Sequence, residues 1–231
     1  MKLSRREPVL DRLKGGLVVS CQADPGEPLD APHHIAALAA SAMAGGAVGI
    51  RAKGLADLRA VRAALPDVPL IGLVKVGQSG VYITPTLEHA DQVADTGADI
   101  VALDGTGRPR PDGLTLAETI AALHRDREVL VMADVSTEQE GHAAEAAGAD
   151  LVGTTLSGYT EHSTYRPGPD LALVARLAGT LRVPVIAEGR IATPEQAREA
   201  IDRGAYAVVV GGAITRPSDL TAQFARALET P

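Results

Sequence analysis

Aromatic side chains make up only 2% of the 231 residues, and tryptophan is missing altogether. That scarcity excludes the stacking platforms on which single-stranded nucleic acids are held. A formal net charge of −7 excludes the broad basic surface that a nucleic acid or an anionic membrane would need. Cys21 is the lone cysteine, so no intramolecular disulfide can form, and the chain suits a reducing cytoplasm. No apolar run approaches the roughly 20 residues that cross a bilayer. The opening "MKLSRREPVLDRLKGG" is basic but lacks the apolar stretch of a secretory signal. The six histidines, at positions 33, 34, 89, 124, 142 and 162, show no helix-spaced ligand pair, so no metal site is expected. His33-His34 instead reads as the entry to a helix. The composition does not decide the oligomeric state, and a homodimer is compatible with it.

What is present is small and aliphatic. A hydrophobic fraction of 45% is ample for a sizeable core, which Ala, Val, Leu and Ile must fill. Short apolar runs recur at Leu17–Ser20, Val48–Arg51, Leu70–Val74, Ile100–Leu103, Val129–Ala133, Leu151–Thr154, Val185–Ala187 and Ala207–Val210. They hardly alternate with polar residues, so both faces of each strand must be buried, as in a parallel sheet. Helical patterns lie between them, among them "GLADLRAVRAAL", "TLEHADQVADTG" and "TPEQAREAIDRG". Thr193-Pro194, with Gln196 three residues after the cap, marks a helix start. Gly97, Gly148 and Gly204 close helices where a left-handed residue is needed. The phrases "DTGADIVALD", "AAGADLVGTT" and "DRGAYAVVVGG" repeat one unit of helix end, glycine and strand. Eight such units predict a single (β/α)8 TIM barrel over residues 1–231. An open doubly wound sheet is the alternative, but no glycine-rich dinucleotide fingerprint accompanies the strands. Val9, Leu10 and Leu13, at helical spacing, predict a short N-terminal helix covering the barrel bottom.

In this architecture the C-terminal strand ends build the site. They deliver Gln22, Arg51, Lys75, Asp104, Asp134, Thr154 with Thr155, Glu188, and Gly211 with Gly212. Lys75 directly follows the apolar "LIGLV", which carries an amine to the barrel mouth as a base or a Schiff-base nucleophile. It could equally reach solvent or pair with a carboxylate. Glu188 has the same placement on the seventh strand and could merely neutralise Lys75 or Arg51. Gly189, beside Arg190, and the pair Gly211-Gly212 expose backbone N–H groups where barrels of this kind hold phosphate. Arg216 could add a bidentate contact. The long segment "SGYTEHSTYRPGPD" after the sixth strand could close over substrate through Tyr159 or Tyr165, or be an ordinary surface loop. Cys21 reads as a small buried thiol.

Taken in order, "GLVVSCQA", "VGIRAKG", "IGLVK", "VYITPT", "ALDGTGRPRP", "ADVST", "GTTLSGYT", "AEGRIATPEQA" and "VVVGGAITRP" resemble the N-acetylmannosamine-6-phosphate 2-epimerase family. The likeness runs from about Gly16 to Pro217. It implies a cofactor-independent (β/α)8 barrel isomerase that interconverts N-acetylmannosamine 6-phosphate and N-acetylglucosamine 6-phosphate in sialic acid and amino sugar catabolism. It further implies Lys75 and Glu188 as catalytic residues, and substrate contacts at Gln22, Arg51, Asp134 and Arg216. One departure stands out. The connection after the lysine is "VGQSG", shorter and uncharged where family members carry a longer Arg-Asp-Tyr-like segment.

Epimerisation at carbon 2 needs no redox cofactor when that carbon lies beside an open-chain aldehyde. The aldehyde acidifies the proton, and a base removes it to leave an enolate. Burial would lower the lysine pKa and an ionised Glu188 would raise it; the sequence leaves that balance open. Two rivals remain: a Schiff-base aldolase acting through Lys75, and a noncatalytic sugar-phosphate sensor.

Overall fold

Apolar runs with both faces buried need two partners each, and closure into a ring provides them. A computed structural model describes residues 6–229. Its strands are β1 (Leu17–Cys21), β2 (Gly49–Lys53), β3 (Leu70–Leu73), β4 (Ile100–Asp104), β5 (Leu130–Asp134), β6 (Leu151–Gly153), β7 (Val185–Glu188) and β8 (Ala207–Val210). All pair in parallel in sequence order, and β8 returns to β1 with Val18 opposite Val209. The result is the expected TIM barrel. Helices α1 (Arg6–Leu13), α2 (Pro32–Ala44), α3 (Leu55–Ala64), α4 (Leu87–Ala94), α5 (Leu116–Asp126), α6 (Glu138–Ala146), α7 (Leu171–Thr180), α8 (Pro194–Asp202), α9 (Gly212–Thr215) and α10 (Pro217–Leu228) complete the chain.

Period-two alternation sorts each strand. Val18, Ile71, Leu73, Ile100, Ala102, Met132, Ile186 and Val209 fill the barrel interior. Val19, Cys21, Ile50, Val101, Leu103, Val131 and Val152 face the helices. Cys21 is accordingly buried, and burial pushes its thiol up to about 12. The expected bottom helix is α1: Leu13 is fully buried against the interior residues, with Val9 and Leu10 packed beside it. The Tyr206 hydroxyl donates to the Leu10 carbonyl at 2.9 Å, fixing that helix to the barrel.

Local signals set the helix starts. Thr86, Thr115, Thr137 and Thr193 each accept from a first-turn backbone N–H, and full capping boxes form at Thr115/Glu118 and Thr137/Glu140. Each cap is worth about 1 kcal/mol. At the third position of α8, the Gln196 side chain reaches back to the Ala192 N–H at 2.8 Å. Gly97, Gly148 and Gly204 have φ of 87°, 96° and 98°. His33 and His34 lie in the first turn of α2.

Two features break the regularity. Buried Thr84 has φ of 44°, a strained conformation for a β-branched residue that costs on the order of 1–3 kcal/mol. At the other end of the chain, α10 buries none of its residues. Phe224 is 75% and Leu228 85% exposed. A groove of about 340 Å³, lined by Leu17, Ala197, Ile201, Val208, Val210 and Ile214, opens beside α8. No helix among the described residues is long and apolar enough to cross a membrane.

Candidate active site

A cavity of about 890 Å³ opens at the C-terminal mouth of the barrel. Gln22, Arg51, Lys75, Glu188, Gly189, Arg190, Gly211, Gly212 and Arg216 all line it. Nine of the ten residues assigned from the sequence to catalysis or substrate thus come together in one cavity, and Asp134 is the exception. A second cleft, of about 850 Å³, lies outside the barrel between the 105–116 loop and α6. Its charged lining residues are tied up: Arg108 holds Asp104, Arg110 holds two carbonyls, and Glu140 caps α6. It contains none of the strand-end groups named above except by contact through that loop.

Arg51 is the centre of the floor. The apolar run suggested that β2 ends there, but the strand continues to Lys53 and Arg51 points inward from its middle. Its guanidinium is 1% exposed and meets Asp134 through Nη2 at 2.6 Å and Nη1 at 3.4 Å. Nη1 also lies 3.3 Å from Glu188 Oε2. Asp134 is fully buried below the cavity, so it reaches a ligand only through its neighbours. Room for this cluster depends on Gly153, where a Cβ would come within 2.3 Å of Met132 Cε and 2.9 Å of Asp134 Oδ1.

The Thr155 hydroxyl donates to Asp134 Oδ1 at 2.6 Å and also lies 3.1 Å from Glu188 Oε2. A hydroxyl has one proton to give. The second contact is a hydrogen bond only when Glu188 is itself protonated. Burial and the nearby Asp134 charge push Glu188 up to about 7, against the opposing pull of Arg51.

Lys75 lies two residues beyond the end of β3 and remains accessible to water within the open cavity. Surrounding protein nevertheless thins its hydration, and Arg51 and Lys53 repel its charge. Those effects outweigh the attraction of Glu188 and Asp24, so its pKa is lowered from the ordinary lysine value. The balance that the sequence left open falls toward a less protonated amine, a weaker base but one more often free to take a proton.

Two strand-end groups go elsewhere. The Asp104 carboxylate accepts from Thr106 and Arg108 and braces the loop after β4. Thr154 clips β6 to the backbone of Glu188. The sequence reading also passed over four contributors: Ser20 and Tyr82, which line the cavity, and Lys53 and Asp24 at its rim. Ser20 and Lys53 stand two residues from Gln22 and Arg51, so the strand period could have found them. Asp24 bridges Lys53 at 3.1 Å and Arg216 at 2.7 Å.

Arg190 spans the cavity wall. Its Nε and Nη1 donate to the carbonyls of Gly168 and Ser157, and its guanidinium stacks on Tyr159 and Tyr165 at 4.9 and 5.3 Å. The loop after β6 is thereby clasped to the loop after β7. Gly189, with φ of 113°, permits the turn that presents Arg190. Among the described residues, no cluster of His, Cys, Asp and Glu is arranged to hold a metal ion.

A closed parallel barrel with a lysine, an acid and a buried arginine converging at its C-terminal mouth is the build of a proton-transferring barrel enzyme. The comparisons specify it further. Residues 35–230 match the family model described as "Putative N-acetylmannosamine-6-phosphate epimerase" (NanE), and the chain belongs to that family. A relative in Cutibacterium acnes, named as the 2-epimerase, is 55% identical over 224 residues, covering 95% of this chain and 96% of its own. One in Caldanaerobacter subterraneus is 51% identical, covering 94% and 92%. The solved N-acetylmannosamine-6-phosphate 2-epimerase from Clostridium perfringens superposes with a TM-score of 0.90 at 44% identity, covering 95% and 96%. A thiamine phosphate pyrophosphorylase from Pyrococcus furiosus, 20% identical with a TM-score of 0.62, shares the fold alone.

Proposed function

We propose that this chain epimerises carbon 2 of N-acetylmannosamine 6-phosphate to N-acetylglucosamine 6-phosphate, in amino sugar breakdown. The observation that carries this reading is geometric: the Lys75 amine, Glu188 and the buried Arg51 guanidinium share one cavity at the barrel mouth, where desolvation lowers the lysine pKa. In the open-chain sugar, the Lys75 amine takes the carbon-2 proton and the electron pair moves onto the aldehyde oxygen. The enolate then turns, and the same ammonium returns a proton to the opposite face. Glu188 orients the amine or the substrate through its contacts with Arg51 and Thr155. Arg51, which Asp134 holds in place, supplies fixed positive charge against the developing oxyanion. Gln22 offers an amide to the sugar hydroxyls.

Gly189, Arg190, Gly211, Gly212 and Arg216 form the phosphate end in this reading. A Cβ at Gly211 or Gly212 would meet only ordinary contacts, at 3.5 Å or more, and neither residue has positive φ. At Gly212, the first residue of α9, nothing inside the protein demands glycine, whereas a ligand pressed against the backbone would; Gly211, at φ −108° and ψ −101°, has a backbone that favours glycine in any case. The start of α9 supplies N–H groups without intrahelical acceptors. Arg216 must exchange Asp24 for the phosphate.

We further propose a cytoplasmic enzyme, one barrel in one domain, that needs no metal or organic cofactor and engages neither nucleic acid nor membrane. We propose that it is a homodimer. The exposed apolar side of α10 and the uncovered groove beside β8 and β1 suit each other across two copies, and a barrel strand pair without its covering helix supports that pairing.

Proton NMR of N-acetylmannosamine 6-phosphate with pure enzyme in deuterated water tests the central reading. The gluco epimer should accumulate with deuterium at carbon 2. Product that retains its carbon-2 proton would refute a solvent-exchanging base. A covalent adduct trapped by borohydride would favour the aldolase chemistry instead.

A further inference from the structure

The lysine does not sit on a strand. β3 ends at Leu73, and the next three residues are held by a return limb, residues 82–84. Val76 N donates to the Tyr82 carbonyl at 3.0 Å, Lys75 forms an antiparallel bridge with Ile83, and Thr84 N donates to the Val74 carbonyl at 2.8 Å. Val74 N in turn donates to Thr84 Oγ1 at 3.3 Å. The backbone bearing the amine is therefore only as well placed as this limb. The limb contains the strained Thr84, a conformation that persists only when its surroundings impose it.

One side chain does much of the imposing. Arg110, 8% exposed, donates from Nη2 to the Thr84 carbonyl at 2.8 Å and from Nη1 to the Asp104 carbonyl at 3.0 Å. The Asp104 N–H closes the circuit by donating to the Ile83 carbonyl at 2.9 Å. We propose that Arg110 is a positioning residue for Lys75, its planar fork pinning the return limb to the end of β4. Two parallel reaches from one guanidinium fit two carbonyls on separate segments, a geometry that lysine cannot reproduce. The position is costly, since both bonds end on carbonyls and the buried Nε has no partner among the described residues. An apolar residue could fill the same volume, so packing alone does not account for an arginine. The limb also carries Tyr82 into the cavity, with the Arg108 guanidinium 5.8 Å from its ring centroid. The loop after β4 thus grips the lysine support twice.

The inference rests on the catalytic reading of Lys75, and the two are separable. The test compares Arg110→Met, which keeps the stem and loses both bonds, with Arg110→Lys, which can keep one. Steady-state kinetics and the pH profile of kcat are measured beside thermal melting. Misplacement by about 1 Å can cost roughly 100-fold, so Arg110→Met should lose about 10- to 100-fold in kcat with little change in KM. The rise of kcat with pH should move upward, as a displaced amine gains fuller hydration and moves away from Arg51 and Lys53, back toward its ordinary pKa. Arg51 and Lys53 on β2, Glu188 on β7, Asp24 after β1 and Tyr82 on the limb are unaltered charges or titrating groups around it. Arg110→Lys should fall between. A folded Arg110→Met enzyme with near-normal kcat, or one that melts lower with an unmoved pH profile, overturns the proposal. If Arg110→Met does not fold, wild-type kinetics and pH profile in Arg110→Lys overturn it equally. Near-normal epimerisation by Lys75→Met would instead sink the lysine assignment itself, whatever the Arg110 variants do.

Discussion

A hydroxyl between two carboxylates cannot satisfy both, and Thr155 between Asp134 and Glu188 makes that shortage explicit at the scale of single residues. Because Glu188 binds its proton more tightly in the folded chain than at its ordinary value of 4.5, folding is penalised once the carboxyl ionises. The sign follows: between 4.5 and about 7 the native state holds more protons than the unfolded one, and stability falls as pH rises through that window. Glu188→Gln should therefore melt above the wild type at pH 8, by at most roughly 3 kcal/mol, and lose that advantage near pH 4.5. Calorimetry at the two pH values decides it; a variant no more stable at pH 8 would contradict the strained carboxyl. The same substitution separates the catalytic roles. Carbon-2 deuterium exchange should vanish in Lys75→Met but persist in Glu188→Gln, slowed by about 10²–10⁴-fold. Collapse of exchange in Glu188→Gln with partial survival in Lys75→Met would reverse the two assignments.

Elements decide what surrounds these residues, and the loops after β7 and β8 give the clearest contrast. Gly189 needs its left-handed backbone, so substitution there would confound folding with binding. Gly212 begins α9 with a helical backbone and space for a methyl group. Gly212→Ala should fold with a melting temperature close to the wild type yet lose at least about tenfold in kcat/KM on the phosphorylated sugar, since remote phosphate contacts contribute to turnover. Unphosphorylated N-acetylmannosamine should be a poor substrate for the wild type and show little further loss. Equal efficiency of the wild type on both sugars would remove the phosphate site. At this scale, strand positions were legible because eight apolar runs with glycine-marked boundaries repeat. The errors lie where polarity and direction diverge. β2 runs two residues past Arg51, since an arginine pointing into the barrel can continue a strand that an apolar count would end. Asp104 ends β4 yet turns to Thr106 and Arg108, and Thr154, just past β6, turns to the Glu188 backbone. Tyr82 and the Arg110 brace depend on a return limb that pairs across the loop after β3, which no local period announces.

For the whole molecule, the uncovered α10 is the open question of assembly. If its apolar side seats on a second copy, light scattering should give twice the 23.8 kDa chain mass. The melting temperature should then rise with protein concentration. Phe224→Asp should shift the population toward monomer; a wild type that stays monomeric at micromolar concentration would rule the dimer out. The clasp of Arg190 between Tyr159 and Tyr165 has a practical consequence of another kind. Since the chain has no tryptophan, excitation near 295 nm finds nothing native to excite. Tyr165→Trp would install a single indole against the guanidinium at the cavity wall, and its emission maximum would report, free of background, whether that wall dries when a sugar phosphate enters.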